Sequence, residues 1–218
     1  MHYTKKLKKS LVMLGTAVSL YSTSVWAHPH NWIDLSTEFN INKADQLTGF
    51  TQYWQFDQFF SMISYAEIMN EYNDEKTGLA ATALKMVANV GPDQYLSTLD
   101  IEGVKYELPV PELYTLELKD SEEAQILILK MTFTLKEPPI VKNKTISLKT
   151  YEPTYFIAMN YLSDAGISIN SPSLNCKVDL IKANPSEDLV YYANSLDRDF
   201  RDSDGLGDDF AEEVRIKC

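Results

Sequence analysis

The stretch ILILKMTFTL, residues 126 to 135, decides how this chain folds. Leu127, Leu129, Met131, Phe133 and Leu135 share one parity, and Ile126, Ile128, Lys130, Thr132 and Thr134 share the other. A period of two with one wholly apolar face and one that turns polar along its length reads as a β-strand laid against a core. The same period continues on either side. Tyr114, Leu116 and Leu118 carry it in the strand before, and Ile146, Leu148 and Thr150 in the strand after, with short polar turns at 119–123 and 137–144. Three such strands joined by short turns predict an antiparallel meander.

Working outward toward the N-terminus, residues 31–39 and 47–56 are rich in aromatic and β-branched side chains, and the polar cluster 42–46 between them marks a hairpin. Asp57 stands where an N-cap belongs, ahead of Phe59, Phe60, Ile63, Ala66 and Met69 at helical spacing. An alanine-rich helix follows at about 79–90 and stops at Gly91-Pro92, and 93–101 reads as another short helix. Toward the C-terminus, Asp164-Ala165-Gly166 and Ser171-Pro172-Ser173 bracket a strand at 167–169, and 176–181 reads as another strand. Pro185-Ser186 then opens a helix with Glu187 and Asp188 in its first turn, where acids suit the dipole. No internal repeat interrupts this order. The expectation is one α+β domain, an antiparallel β-sandwich-like sheet with helices inserted after the first hairpin and near the C-terminus.

The first 27 residues read as a secretory signal peptide. Lys5, Lys6, Lys8 and Lys9 form a basic region, residues 11–20 a short apolar one, and Val25 and Ala27 the small residues before a cut. The apolar run is too short to span a bilayer, and no second run of sufficient length follows. The expected product is a periplasmic protein of residues 28–218 with no direct membrane anchor. The net charge of −11 falls further without the four leader lysines. A surface this acidic repels nucleic acid, excluding that partner, and attracts cations. Cys176 and Cys218 are an even pair in an exported chain, for which a disulfide is the default. Two thiolate metal ligands are the competing reading, without a C-x-x-C spacing to support it.

Cleavage after Ala27 would leave both remaining histidines, His28 and His30, within the first three residues. His28 would then offer an α-amine and an imidazole together, and in an extended chain His30 points to the same side. Pro29 has no amide N–H, so the square-planar N-terminal copper or nickel site that needs a deprotonated second amide cannot form. A copper brace would need a further histidine, and none exists outside the leader. A two-imidazole site completed by carboxylates or water suits zinc best, with nickel, cobalt or copper as alternatives. Asp34 is on the same strand face, but four extended residues put it about 13 Å from His30. Asp57 and Glu152, at the edges of predicted strands, are the better candidates. The acidic run DRDFRDSDGLGDD, residues 197–209, fails as a calcium loop, because Phe200 and Ala211 fall where acids are required. No G-x-S-x-G or comparable catalytic signature occurs, so no enzyme activity is expected.

These motifs together resemble the exported family called domain of unknown function 1007. The resemblance rests on His28, Pro29, His30, Trp32, Ile33 and Asp34; on Trp54, Phe56, Asp57, Phe60 and Ser61 of a W-x-F-D-x-x-F-S pattern; on Tyr151, Glu152, Pro153, Thr154 and Tyr155; and on Leu206, Gly207, Phe210, Ala211 and the terminal Cys218. Glu152 stands where the family pattern has aspartate, and NEYNDEKTG, residues 70–78, lacks calcium-loop spacing. The resemblance implies metal handling, zinc uptake among its forms, and an inner-membrane permease of the nickel/cobalt transporter class as partner. Asp57 becomes the expected third ligand beside His28 and His30. The rival expectation, from a different class, is an interaction module of a transport system that binds no metal itself.

Overall fold

The computed structural model describes residues 29–120, 124–196 and 205–218. The expected signal peptide, His28, and residues 197–204 of the acidic run lie outside them.

The alternation at 126–135 becomes strand β6 (Gln125–Thr134), whose Leu127, Leu129, Met131 and Phe133 are each no more than 1% exposed. Its neighbours are β5 (Leu113–Asp120) and β2 (Leu47–Phe56), both antiparallel to it. β1 (Asn31–Ile41) forms the expected hairpin with β2, with Leu35 opposite Trp54 and Phe39 opposite Phe50. On its far side β1 is joined by β8 (Ile157–Tyr161) and β9 (Ile167–Asn170), which act as one edge strand broken by the 3-10 turn Asp164–Gly166. A second sheet runs β10 (Lys177–Ile181), β11 (Glu213–Lys217), β7 (Thr145–Thr150), β3 (Ser97–Ile101), β4 (Val104–Tyr106).

The α+β class, the two facing sheets and the placement of the helices agree with the sequence. Strands β4, β8 and β11 and the short helix at Leu206–Asp209 add to the expected elements, and three expected details differ. β7 does not continue a meander: β2 and β5 already occupy both edges of β6, and the connection through Pro138-Pro139 delivers β7 to the second sheet between β11 and β3. Residues 97–101 are a strand, not a helix, because Gln94 and Tyr95 take left-handed backbone angles (φ 51° and 56°) that end the 3-10 segment Gly91–Leu96 and turn the chain into β3. The pairings of β1 with β8 and β9 are parallel, so the first sheet is mixed rather than purely antiparallel.

Between the sheets lies one apolar core, in which Phe39, Phe50 and Trp54 of the first sheet meet Leu99, Ile146, Leu148, Val214 and Ile216 of the second. One polar bridge crosses it. The Gln52 Nε2 donates to Thr150 Oγ1 (2.6 Å) and to Ser97 Oγ (3.2 Å), so three buried polar side chains satisfy one another and pin β2 to β7 and β3. α1 (Gln58–Glu71) and α2 (Glu75–Val90) follow the hairpin, capped by Asp57 and Asp74. α2 closes the core with Leu79, Ala83 and Val87, whereas α1 buries only Ser61 and Ile68. α3 (Glu187–Ser195) and the short α4 (Leu206–Asp209) form a small separate cluster through Ala193, Leu196 and Leu206, against which Tyr155 and Phe210 pack.

Cys176 and Cys218 are joined in a disulfide that closes a separation of 42 residues just outside the paired ends of β10 and β11. By the chain-entropy model such a loop contributes about 4 kcal/mol. No cysteine is free among the described residues, which removes the thiolate-ligand alternative for this pair.

Candidate functional site: a joint of four separated segments

His30 stands at the lead of β1. Its backbone N–H donates to Phe156 O (2.9 Å), which extends the β1–β8 ladder by one step, and its ring lies 4.7 Å from the Phe156 ring at a tilt of 44°. Strand alternation puts His30, Trp32 and Asp34 on one face of β1. Trp32 is 51% exposed there. Burial pushes the Asp34 carboxyl above its usual range.

Asp57 ties β1 to α1. Its Oδ1 accepts the Phe60 N–H (2.9 Å), which makes it the helix N-cap, and its Oδ2 accepts the Trp32 N–H (3.1 Å). The Asp57 N–H returns to Trp32 O (3.0 Å), so the residue also finishes the β1–β2 ladder. Ser61, one turn on, is fully buried and its Oγ accepts the Leu127 N–H (3.0 Å). The W-x-F-D-x-x-F-S segment is thus a hairpin-to-helix joint: Trp54 and Phe56 fill the core, Asp57 caps, and Ser61 reaches β6.

Glu152 makes a similar clasp in the turn ahead of β8. Its Oε1 accepts from Thr154 N (3.0 Å) and its Oε2 from Phe156 N (2.7 Å), while the Thr154 hydroxyl bonds to the same carboxylate. Tyr155 within this turn has φ 57°, a left-handed conformation that costs a non-glycine residue about 1–2 kcal/mol. Its ring stacks on Phe210 at 3.9 Å between centroids. Gly207 closes the arrangement from the C-terminal side. Its N–H donates to Pro153 O (2.9 Å), and a Cβ there would lie 2.0 Å from Glu152 O, so only glycine fits.

The four segments that are far apart in sequence therefore meet in one connected joint: His30 on Phe156, Trp32 on Asp57, Glu152 on Phe156, and Gly207 and Phe210 on the Glu152–Tyr155 turn. The expected ligands fare differently. His28 lies outside the described residues. His30 is held at the lip of the joint. Asp57 and Glu152 each spend their oxygens on backbone N–H groups; each Asp57 oxygen accepts one such bond, whereas both Glu152 oxygens are also engaged by the Thr154 hydroxyl. Among the described residues, no three His, Cys, Asp or Glu side chains are grouped to hold a metal ion.

Two residues of the joint and its surroundings were not singled out from sequence. Phe156 is the hub between His30 and Glu152, and an aromatic next to Tyr155 at the end of a turn carries no signal of that role. Glu212 is 6% exposed, accepts the Tyr161 N–H on Oε2 (2.7 Å) and pairs with Lys182 through Oε1 (2.7 Å). The Lys182 ammonium also donates to Tyr161 O, so the ion pair clamps both backbone groups of Tyr161. The shared parity of Glu212, Val214 and Ile216, all buried, is the sequence signal that could have pointed to it.

The fold and the joint define a two-sheet α+β protein whose N-terminal strand, first helix cap and C-terminal turn are tied together at one end of the first sheet. The chain belongs to the family described as protein of unknown function (DUF1007), whose model matches residues 13–218. It is 31% identical over 214 residues to an uncharacterized protein of Haemophilus influenzae, a similarity that covers 97% of this chain and 100% of that one. Among the described residues, no helix is long and apolar enough to cross a membrane.

Proposed function

We propose that this protein is an exported, periplasmic metal-binding protein, not an enzyme, that takes a divalent cation as cargo and passes it to an inner-membrane permease of the nickel/cobalt transporter class. Zinc is the cargo the donor set favours, through His28 and His30 with a carboxylate such as Asp57 completing the shell. The observation that carries this reading is the anchoring of His30. Its backbone bond and ring contact to Phe156 hold one imidazole at the joint where the Asp57 and Glu152 turns also end. The disulfide agrees with an oxidising compartment, and the acidic surface favours cation approach. Few ligands near a chain end suit delivery, because the ion must also leave.

Calorimetry with zinc on protein whose N-terminus has been confirmed as His28, beside a His28→Ala, His30→Ala variant, tests the reading. One-to-one binding lost in the variant is the expected result. Binding that is absent, or indifferent to both histidines, removes metal capture. Unchanged zinc affinity in Asp57→Asn removes Asp57 from the shell without touching the rest.

A further inference from the structure

α1 is apolar on the side that faces away from the core. Ser61 and Ile68 mark its buried side, while Phe59 (67% exposed), Met62 (54%), Ile63 (41%) and Met69 (43%) lie on the opposite side with Ala66. Their spacing of i, i+3, i+4, i+7 and i+10 is that of a single helix stripe. Exposed Trp32 is fastened to the start of the same helix through Asp57. An apolar patch of about 300–600 Å² on a monomer is commonly an interaction site.

The charge around the stripe selects the occupant. From residue 44 to residue 75 the chain carries Asp45, Asp57, Glu67, Glu71, Asp74 and Glu75, and no lysine, arginine or histidine. Lys85, which approaches α1 from α2, is engaged by Glu71 at 2.9 Å. A second copy of the chain would bring the same acids against themselves. An anionic lipid surface is repelled for the same reason. We infer that the outer face of α1 docks a cationic, amphipathic helical segment of a protein partner, its apolar ridge on Phe59, Met62, Ile63 and Met69 and its lysines or arginines toward Glu67, Asp74 and Glu75. The inference goes beyond metal capture and does not depend on it.

The test uses the full exported chain in the presence of a chelator, so that failure of metal binding has no bearing on it. The probe is an 18-residue helical peptide of leucine and lysine, followed by fluorescence anisotropy. Phe59→Gln with Met62→Gln keeps every charge and should weaken binding at least tenfold; Glu67→Gln should weaken it by a smaller factor that disappears in high salt. Thermal unfolding monitors the fold, and Ile63→Gln with Met69→Gln replaces the first variant should that one be destabilised. Binding unchanged in both apolar variants would overturn the inference, because attraction to the acids alone would then explain it. Self-association of the protein that the apolar variants abolish, or its cosedimentation with phosphatidylcholine vesicles lost in the same variants, would also overturn it in favour of a second copy or a lipid surface.

Discussion

Two apolar faces of this molecule have met opposite fates. The inward face of β6 and the outward face of α1 are similar in composition, Leu, Met and Phe against Phe, Met and Ile. Yet Leu127, Met131 and Phe133 are at most 1% exposed, and Phe59 and Met62 are more than half exposed. The difference lies in neighbours. β6 sits inside a sheet whose inner face is covered by the second sheet and the helices, while α1 turns Ser61, Ile68 and the half-buried Phe60 to the body of the protein and leaves its outer stripe exposed. Apolar periodicity therefore reports that a face wants a partner, and leaves open whether the partner belongs to the same chain.

The comparison is sharpest in stability measurements. Phe133→Ala should cost about 3–5 kcal/mol in urea unfolding, from lost transfer energy and the cavity left behind. Phe59→Ala should stay within about 0.5 kcal/mol. Equal losses at the two positions would mean that α1 is covered by something within the chain.

The next largest effect concerns the disulfide, which stabilises the second sheet from outside the core. Replacing Cys176 and Cys218 with serine should lower stability by about 2–5 kcal/mol, with the peptide affinity of α1 unchanged. Gly207→Ala should follow at about 1–3 kcal/mol, since the added methyl overlaps the Glu152 carbonyl and must displace the joint. If it also weakens zinc binding while Phe133→Ala does not, the joint rather than global stability governs the site.

The smallest effect is set by pH. Burial raises the Tyr161 hydroxyl above its ordinary value of 10.0, against a lowering by its hydrogen bond to Thr37. The folded state then holds this proton after the unfolded state has released it, so stability is fully present below pH 10 and declines as pH rises above it. Tyr161→Phe should make that decline shallower while costing about 1 kcal/mol at neutral pH for the partner that Thr37 loses. Unfolding free energies at pH 8 and pH 10.5 would measure both.

Much of the fold was legible because its signals are local. The alternation in β6, the polar turn of the first hairpin, and the Asp57 and Ser186 caps each act within a few residues, and each element stands where those signals put it. The meander misled because alternation specifies a strand but not its partner: Ile146 and Leu148 serve equally well in either sheet. The helix expected at 93–101 failed at a left-handed turn of Gln94 and Tyr95, residues with no intrinsic preference for it. At the site, the sequence supplied His30, Asp57 and Glu152 as candidates. It could not show that Asp57 and Glu152 are both hydrogen-bonded into turns, or that Phe156 connects Glu152 to His30 while Asp57 joins through Trp32.

By itself the sequence determined the long elements of clear period, the pairing chemistry of Cys176 with Cys218, and which residues carry donor atoms, since each depends on residue type and near spacing. Tertiary structure alone decided which strands became neighbours, which apolar face was covered, and that segments more than a hundred residues apart in sequence would share one joint, because those outcomes depend on competition among surfaces that no local pattern ranks.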